Sequence, residues 1–162
     1  MITIQTERLV LRPFTLEDAH KIVSLDADPA VREFLDMPEP TSLAAANEWI
    51  EYLLATYPQG FERGFWVAEE SGEFIGWFHL RPARDTRECE LGYRLVKAAW
   101  GRGLATEGSR ALIDLAGERV IARTMKINYR SRRVMEKLGM KVVREFAYTG
   151  EGPNDEVEYA TE

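Results

Sequence analysis

Tyr93-Arg94-Leu95-Val96-Lys97-Ala98-Ala99-Trp100-Gly101-Arg102-Gly103-Leu104-Ala105-Thr106-Glu107 carries a strand into a helix across a loop nearly bare of side chains. The residues before it alternate as a strand does. The residues after it place Leu104, Gly108, Ala111, Leu112 and Leu115 on one helical face. Exposed N–H groups at such a helix tip, aided by the helix dipole, form a cradle for an anion. No Lys-Ser or Lys-Thr follows the glycines, which excludes a P-loop, and Gly101-Arg102-Gly103 lacks the third glycine of a dinucleotide fingerprint. The spacing points to some other ligand that carries a pyrophosphate. A plain strand-to-helix turn bending at a glycine satisfies the same pattern.

Upstream, residues 8–13 alternate as a strand. Thr15 with Asp18 reads as a capping box opening a helix that turns Leu16, Ala19, Ile22, Val23 and Leu25 inward. A short turn or helix follows at residues 31–35. Thr41 or Ser42 caps a second helix, with Ala45, Trp49, Tyr52 and Leu53 at helical spacing. The period then drops to two. Residues 65–68 and 74–80 form a hairpin about Ser71-Gly72-Glu73, and residues 88–95 form a third strand, with a bulge expected at Gly92. Beyond the loop helix lie a strand at 119–125 and a helix opened by Asn128 and closed by Gly139. Two final strands at 140–146 and 156–160 flank a polar turn at 150–155. This order predicts an α/β fold: a mixed sheet, mostly antiparallel, with helices on both faces.

The 162 residues are sized for one domain, here taken as 1–162, and 45% hydrophobic with 30% charged residues is the composition of a soluble globular chain. Met1 to Glu7 shows neither the basic region nor the apolar stretch of a signal peptide, and no apolar run is long enough to span a membrane. One cysteine, Cys89, rules out an internal disulfide framework and suits a cytoplasmic setting. A net charge of −6 argues against nucleic acid as a partner. That average hides a split. Residues 94–133 hold ten Lys/Arg and three Asp/Glu; the rest of the chain holds eleven and twenty-four. Such asymmetry suits a protein that binds a polyanion and a cation, and chance clustering of solvated charge also produces it. His20 and His79 have no partner at metal-ligand spacing, so no metal is expected. His79, Trp49, Trp66, Trp77 and Phe78 read as core or as walls of an acceptor pocket.

The element order and three segments resemble the GNAT superfamily of acyl-CoA-dependent N-acyltransferases, and within it the ribosomal-protein N-terminal-alanine acetyltransferases. The segments are Thr6-Glu7-Arg8-Leu9-Val10-Leu11-Arg12-Pro13; Glu90-Leu91-Gly92-Tyr93 through to Glu107; and Asn128-Tyr129-Arg130-Ser131-Arg132-Arg133-Val134-Met135-Glu136-Lys137-Leu138-Gly139. Together with the order they cover nearly the whole chain. Two departures stand out. Trp100 takes a position usually held by Gln or Arg. Met135 takes the position where many members carry a general-acid tyrosine, and a thioether cannot donate a proton.

The resemblance implies acetyl-CoA as cosubstrate. Backbone N–H groups of Gly101, Arg102, Gly103, Leu104 and Ala105 would take the pyrophosphate, with Trp100 keeping the cradle and Arg102 adding charge at its rim. Tyr93, Arg94 and Leu95 would pair with pantetheine as a neighbouring strand does, in a slot where the fourth strand splays from the fifth. The N–H of Leu95 would serve the thioester oxygen; one such donor lowers an acyl-transfer barrier by roughly 3–4 kcal/mol. Glu90 matches an acidic position that takes the amine's proton, with Glu145 as its substitute. Asn128 would bond the pantetheine arm, unless it is only a helix cap. Ser131 would sit near the sulfur and protonate the thiolate, unless it only satisfies a first-turn backbone group. Arg130, Arg132 and Arg133 crowd a helix start, where like charge opposes the dipole and invites an anion such as a CoA phosphate. The thiolate of Cys89 is disfavoured between Glu88 and Glu90, so direct attack by the amine is expected.

The expected function is therefore acetyl transfer from acetyl-CoA to a primary amine, either a protein N-terminus or a small cationic amine. The amine would arrive over the acidic first helices and hairpin. The alternatives are a non-catalytic acyl-CoA sensor and a transferase of a larger acyl group, such as succinyl, held by Arg94. Neither nucleic acid nor membrane is an expected partner, and the chain is expected to be a monomer or homodimer.

Overall fold

The computed structural model describes residues 2–57, 62–147 and 155–162. Eight strands form one sheet: β1 (Ile4–Gln5), β2 (Leu9–Pro13), β3 (Gly64–Glu70), β4 (Glu73–Pro82), β5 (Cys89–Leu95), β6 (Val120–Met125), β7 (Lys141–Phe146) and β8 (Glu156–Ala160). Their order is β1-β2-β3-β4-β5-β6-β8-β7. Every neighbouring pair is antiparallel except β5 with β6. The helices are α1 (Ala19–Ala27), α2 (Pro29–Arg32), α3 (Leu43–Thr56), α4 (Leu104–Ala116) and α5 (Tyr129–Lys137). Of the polar turn expected at 150–155, only Asp155 falls within the described residues.

Local chemistry starts each element. Thr15 and Asp18 form the expected capping box ahead of α1, and Asp18 also takes two bonds from Arg12, at 2.8 and 2.7 Å. The Ser42 side chain caps α3 by accepting from the Ala45 N–H. Asn128 caps α5 by accepting from the Ser131 N–H, and Gly139 follows that helix at φ +81°. The β3–β4 turn places Ser71 and Gly72 at positive φ, as a two-residue hairpin of primed type requires.

The sheet separates two cores. On one face α4 and α5 lay Leu104, Leu112, Met135 and Leu138 against Leu11, Phe78, Leu80 and Leu91. On the other, α1 and α3 lay Ile22, Leu25, Ile50 and Leu53 against Val67, Phe65 and Trp77. Each fully buried Leu or Ile side chain contributes about 2 kcal/mol of transfer free energy. This is the mixed sheet with helices on both faces that the element order predicts.

Three expectations need correction. Gly92 is not a bulge: it stays in register with His79, and the extra residue sits on β4 at Ile75, where Ala68 pairs Gly76 and Glu69 pairs Phe74. Gly92 has another reason to lack a side chain, since a Cβ there would lie 2.4 Å from His79 Cε1. Leu16 is exposed rather than inward. In α3 the buried residues are Ala46, Ile50 and Leu53, while Ala45 and Tyr52 face solvent.

Candidate active site

The site forms where β5 leaves β6. The two strands pair only at Cys89 with Val120 and Glu90 with Ile121, after which they diverge. Backbone parity gives the direction of the freed groups. Val96 N–H donates to Ile75 O and Ala83 N–H to Glu88 O, both at 2.9 Å, so the even-numbered residues of β5 bond to β4. Tyr93 and Leu95 therefore turn their main-chain N–H and C=O groups toward the split. Arg94 does not: its backbone belongs to the ladder with Trp77, which corrects its place among residues paired with pantetheine. The Leu95 carbonyl accepts from Trp100 Nε1 at 2.9 Å. Trp100 thus pins the loop to the strand.

Between that pin and α4, Gly101 and Gly103 hold φ of +73° and +81°. A Cβ would meet no protein atom at Gly101, and only Arg8 Nη2 at 3.5 Å at Gly103. Gly103 is the N-cap of α4 and offers no side chain, and the first helical bond runs from Glu107 N–H to Gly103 O. The N–H groups of Leu104, Ala105 and Thr106 are left without helical acceptors. Behind the loop, Glu107 accepts from the Thr6 hydroxyl at 2.6 Å and from Arg8 N–H and Nε at 2.7 Å each, while Arg8 Nη1 donates to Arg102 O at 2.9 Å. Burial alone would raise the Glu107 carboxyl; the bonds from Thr6 and Arg8 outweigh it and hold the group below its usual range.

The loop's charges are less available than its sequence suggests. Arg102 points both guanidinium nitrogens at Glu70, at 2.8 Å each, and adds no free charge at the rim. Arg130 stacks on Trp100 with its guanidinium carbon 4.3 Å from the ring centroid, and pairs with Glu33. Arg132 donates to the Tyr159 hydroxyl and to Lys126 O. Those two arginines are tied to protein groups, not poised for a phosphate. Arg133 is exposed and forms no ion pair among the described residues.

On the α4/α5 face of the split, the Tyr93 hydroxyl and Asn128 Nδ2 both donate to Ser131 Oγ at 3.3 Å, and Ser131 N–H donates to Asn128 Oδ1 at 3.2 Å. With two donors already on its oxygen, the Ser131 hydroxyl hydrogen is free for a third group. Burial raises the Tyr93 phenol above its ordinary value, against the opposing bond to Ser131. Tyr93 thus brings a side chain as well as a backbone edge. Met135 is buried in the core beneath them.

The opposite face carries Glu90, Arg94, Trp77, His79 and Arg81. Glu90 is 14% exposed and lies 3.1 Å from Arg81. Burial raises its carboxyl pKa, only partly countered by Arg81, Arg123 and Arg84. Arg94 pairs at 2.7 Å with Asp26, whose side chain is 2% exposed and also accepts from Thr41. Its guanidinium carbon lies 5.0 Å from the Trp77 ring centroid. Arg94 is thereby paired on the face away from Tyr93 and Ser131. Glu145 is exposed on β7 and bound to Lys126 at 2.7 Å, outside this constellation. Cys89 is buried, and that burial raises its thiol, so it is no nucleophile.

Sequence reasoning missed Asp26 and the phenol of Tyr93. A hint existed for Asp26, because a charged arginine amid strand hydrophobics needs a counter-ion. Among the described residues no group of three His, Cys, Asp or Glu stands ready to hold a metal ion, and no helix is long and apolar enough to cross a membrane.

The acetyltransferase (GNAT) domain family matches residues 8–141. The FsC-acetyl coenzyme A-N(2)-transacetylase of Aspergillus fumigatus is 35% identical over 159 residues, spanning 89% of this chain and 67% of that protein. The crystal structure of the acetyltransferase from Agrobacterium tumefaciens superposes with a TM-score of 0.79 at 26% identity, covering 100% of this chain and 95% of the other. RimL, a ribosomal L7/L12 α-N-protein acetyltransferase in complex with coenzyme A, shares the fold with a TM-score of 0.85 at 17% identity, over 99% and 97% of the two chains.

Proposed function

Because this chain belongs to the GNAT acetyltransferase family and is an acetyl-CoA-dependent N-acetyltransferase, we propose that it acetylates a primary amine by direct attack on acetyl-CoA held in the β5–β6 split. One observation carries this reading. The edge of β5 at Tyr93 and Leu95, which no neighbouring strand among the described residues covers, leads by way of the Trp100 pin to an uncapped helix tip whose two glycines leave open space. An amide-bearing arm that ends in a diphosphate fits that edge and that tip together.

Each residue then has a task. N–H groups of residues 101–105 hold the diphosphate, and Tyr93 and Leu95 pair with the arm. Asn128 offers its amide from the start of α5. Glu90, raised by burial, takes the ammonium proton and frees the nitrogen lone pair. Leu95 N–H donates to the thioester oxygen as charge gathers there. As the new C–N bond forms and the C–S bond breaks, the Ser131 hydroxyl gives its proton to the departing sulfur and is restored by the second proton the nitrogen sheds. Arg133, exposed on the first turns of α5, takes an outer phosphate. The acceptor is a cationic amine, such as a protein N-terminus or a small molecule, arriving over α1 and α3. The lone buried Cys89 suits work in the cytoplasm.

Calorimetry with acetyl-CoA, followed by CoA release with pooled amines, tests the reading. Glu90→Gln is expected to bind acetyl-CoA normally and to lose about 100-fold or more in kcat/KM. The wild-type rate rises with pH as Glu90 ionises at its raised pKa, and the variant lacks that acid limb. No binding heat at millimolar acetyl-CoA, or full activity in Glu90→Gln, overturns it.

A further inference from the structure

The α1/α3 face of the split holds a set of hydrogen-bonding groups with nothing to bond. Trp77 Nε1, both ring nitrogens of His79, and Arg94 Nε are buried and have no hydrogen-bond partner among the described residues. The residues are contiguous: the Trp77 and His79 rings stack with centroids 5.9 Å apart, and the Arg94 guanidinium lies over Trp77. Trp77 is 8% and His79 9% exposed. All three lie beside the part of β5 that has left β6, since His79 pairs with Gly92 and Trp77 with Arg94. Gly92 keeps a side chain from crowding His79. A buried polar atom left unpaired is costly, and four of them on three contiguous residues mark a place prepared for a ligand.

The kind of atom decides what the ligand must offer. Trp77 Nε1 and Arg94 Nε only donate, and a neutral imidazole donates from one nitrogen and accepts at the other. His79 is neutral at working pH, its pKa pushed down to about 3 by burial and by the charges of Arg81 and Arg94. The set therefore offers three donors and one acceptor. A simple ammonium or polyamine brings donors only and leaves three of the four unmatched. An amine with an oxygen two or three bonds from its nitrogen matches the set: its N–H meets the accepting nitrogen of His79, and its oxygen lone pairs meet the donors.

We propose that Trp77, His79 and Arg94 are specificity residues that select acceptor amines bearing a neighbouring oxygen acceptor, an aminocarbonyl compound in preference to an alkylamine or polyamine. This inference rests on the reading of the split given above. It narrows the acceptor from any cationic amine to one whose oxygen is read as well as its nitrogen. Asp26 contributes at one remove, by holding the Arg94 guanidinium in place through Nη1.

Kinetics with two probes, glycinamide and propylamine, test the proposal. Trp77→Phe keeps the ring and removes the N–H. It is expected to lower kcat/KM for glycinamide about tenfold and for propylamine less than twofold, with acetyl-CoA affinity unchanged. Comparing each variant with wild type on the same amine cancels the difference in basicity between the probes. Trp49→Phe is the control for packing, because Trp49 lies in the same aromatic cluster without a buried unpaired N–H. It should leave the ratio of the two amines unchanged. His79→Ala should reduce the ratio as Trp77→Phe does. Equal losses for both amines, no loss for either, or turnover of neither amine by protein that binds acetyl-CoA overturns the inference. Failure to bind acetyl-CoA overturns the reading of the split and this inference with it.

Discussion

The two faces of β5 past Glu90 are built on opposite plans. Toward α4 and α5, polar groups are already matched: Tyr93 and Asn128 donate to Ser131, and Trp100 donates to Leu95 O. Toward α1 and α3, Trp77, His79 and Arg94 leave buried nitrogens without partners among the described residues. A matched network is rigid and suits a partner that never changes. An unmatched one is stable only when something else completes it. Under the function proposed above, the invariant acyl carrier takes the first face and the variable acceptor the second.

That contrast can be broken by substitution. Asp26→Ala should have the largest effect, because it strands the Arg94 charge next to Trp77. A loss of about 3 kcal/mol of folding stability is expected from urea titration. Acetyl-CoA affinity, read by calorimetry on the folded fraction, should stay within twofold. A large fall in that affinity would show that the faces are not independent. Gly103→Val acts on the other side, combining strain at positive φ with a side chain in the cradle. Acetyl-CoA binding should weaken by about 2 kcal/mol, roughly 30-fold, while KM for the acceptor holds.

Smaller effects sharpen the comparison. Thr6→Val removes one donor to Glu107 and should cost about 1.5 kcal/mol at neutral pH. Because folding depresses the Glu107 pKa, its contribution is present above the ordinary carboxylate range and lost as pH falls through the depressed value. Acid unfolding followed by circular dichroism should show a smaller loss on acidification in the variant than in wild type. Least of all, Ser131→Ala and Tyr93→Phe should each lower kcat about fivefold, near 1 kcal/mol. Their double variant should lose little more than either alone, since the two act through one bond. Additive losses would deny that the matched face works as a unit.

What the sequence could reveal followed the range of its causes. Asn128 as a cap, Thr15 with Asp18, and the glycines before α4 are set by neighbours a few positions away, and all were legible. The phase of α3 was not. Ala44, Ala45 and Ala46 run consecutively and give no apolar stripe to follow, so the spaced set Ala45, Trp49, Tyr52 and Leu53 includes two residues that face solvent, while Ala46 and Ile50 are buried. Gly92 was misread because its reason stands on the next strand, in His79. The Arg94 partner, Asp26, lies 68 positions away, and Glu33 reaches Arg130 across 97. Charge crowding at the start of α5 suggests an anion nearby, and for Arg130 the fold supplies one from 97 positions away, the Glu33 carboxylate, beside the Trp100 ring. Local propensity shows where a site is; which of its groups remain free is decided by the tertiary fold.

The lone parallel junction between β5 and β6 has a kinetic meaning. It divides the sheet into two antiparallel blocks, β1 to β5 and β6 to β8, and only the long crossover through α4 brings them side by side. Consecutive hairpins assemble early, whereas a join across a long crossover closes late and opens first. The seam has two rungs. A molecule lying in it acts as a strut between the blocks. If acetyl-CoA lies there as proposed, amide hydrogens on both sides of the gap should exchange more slowly with it bound, the substrate serving as a temporary strand of the protein it visits.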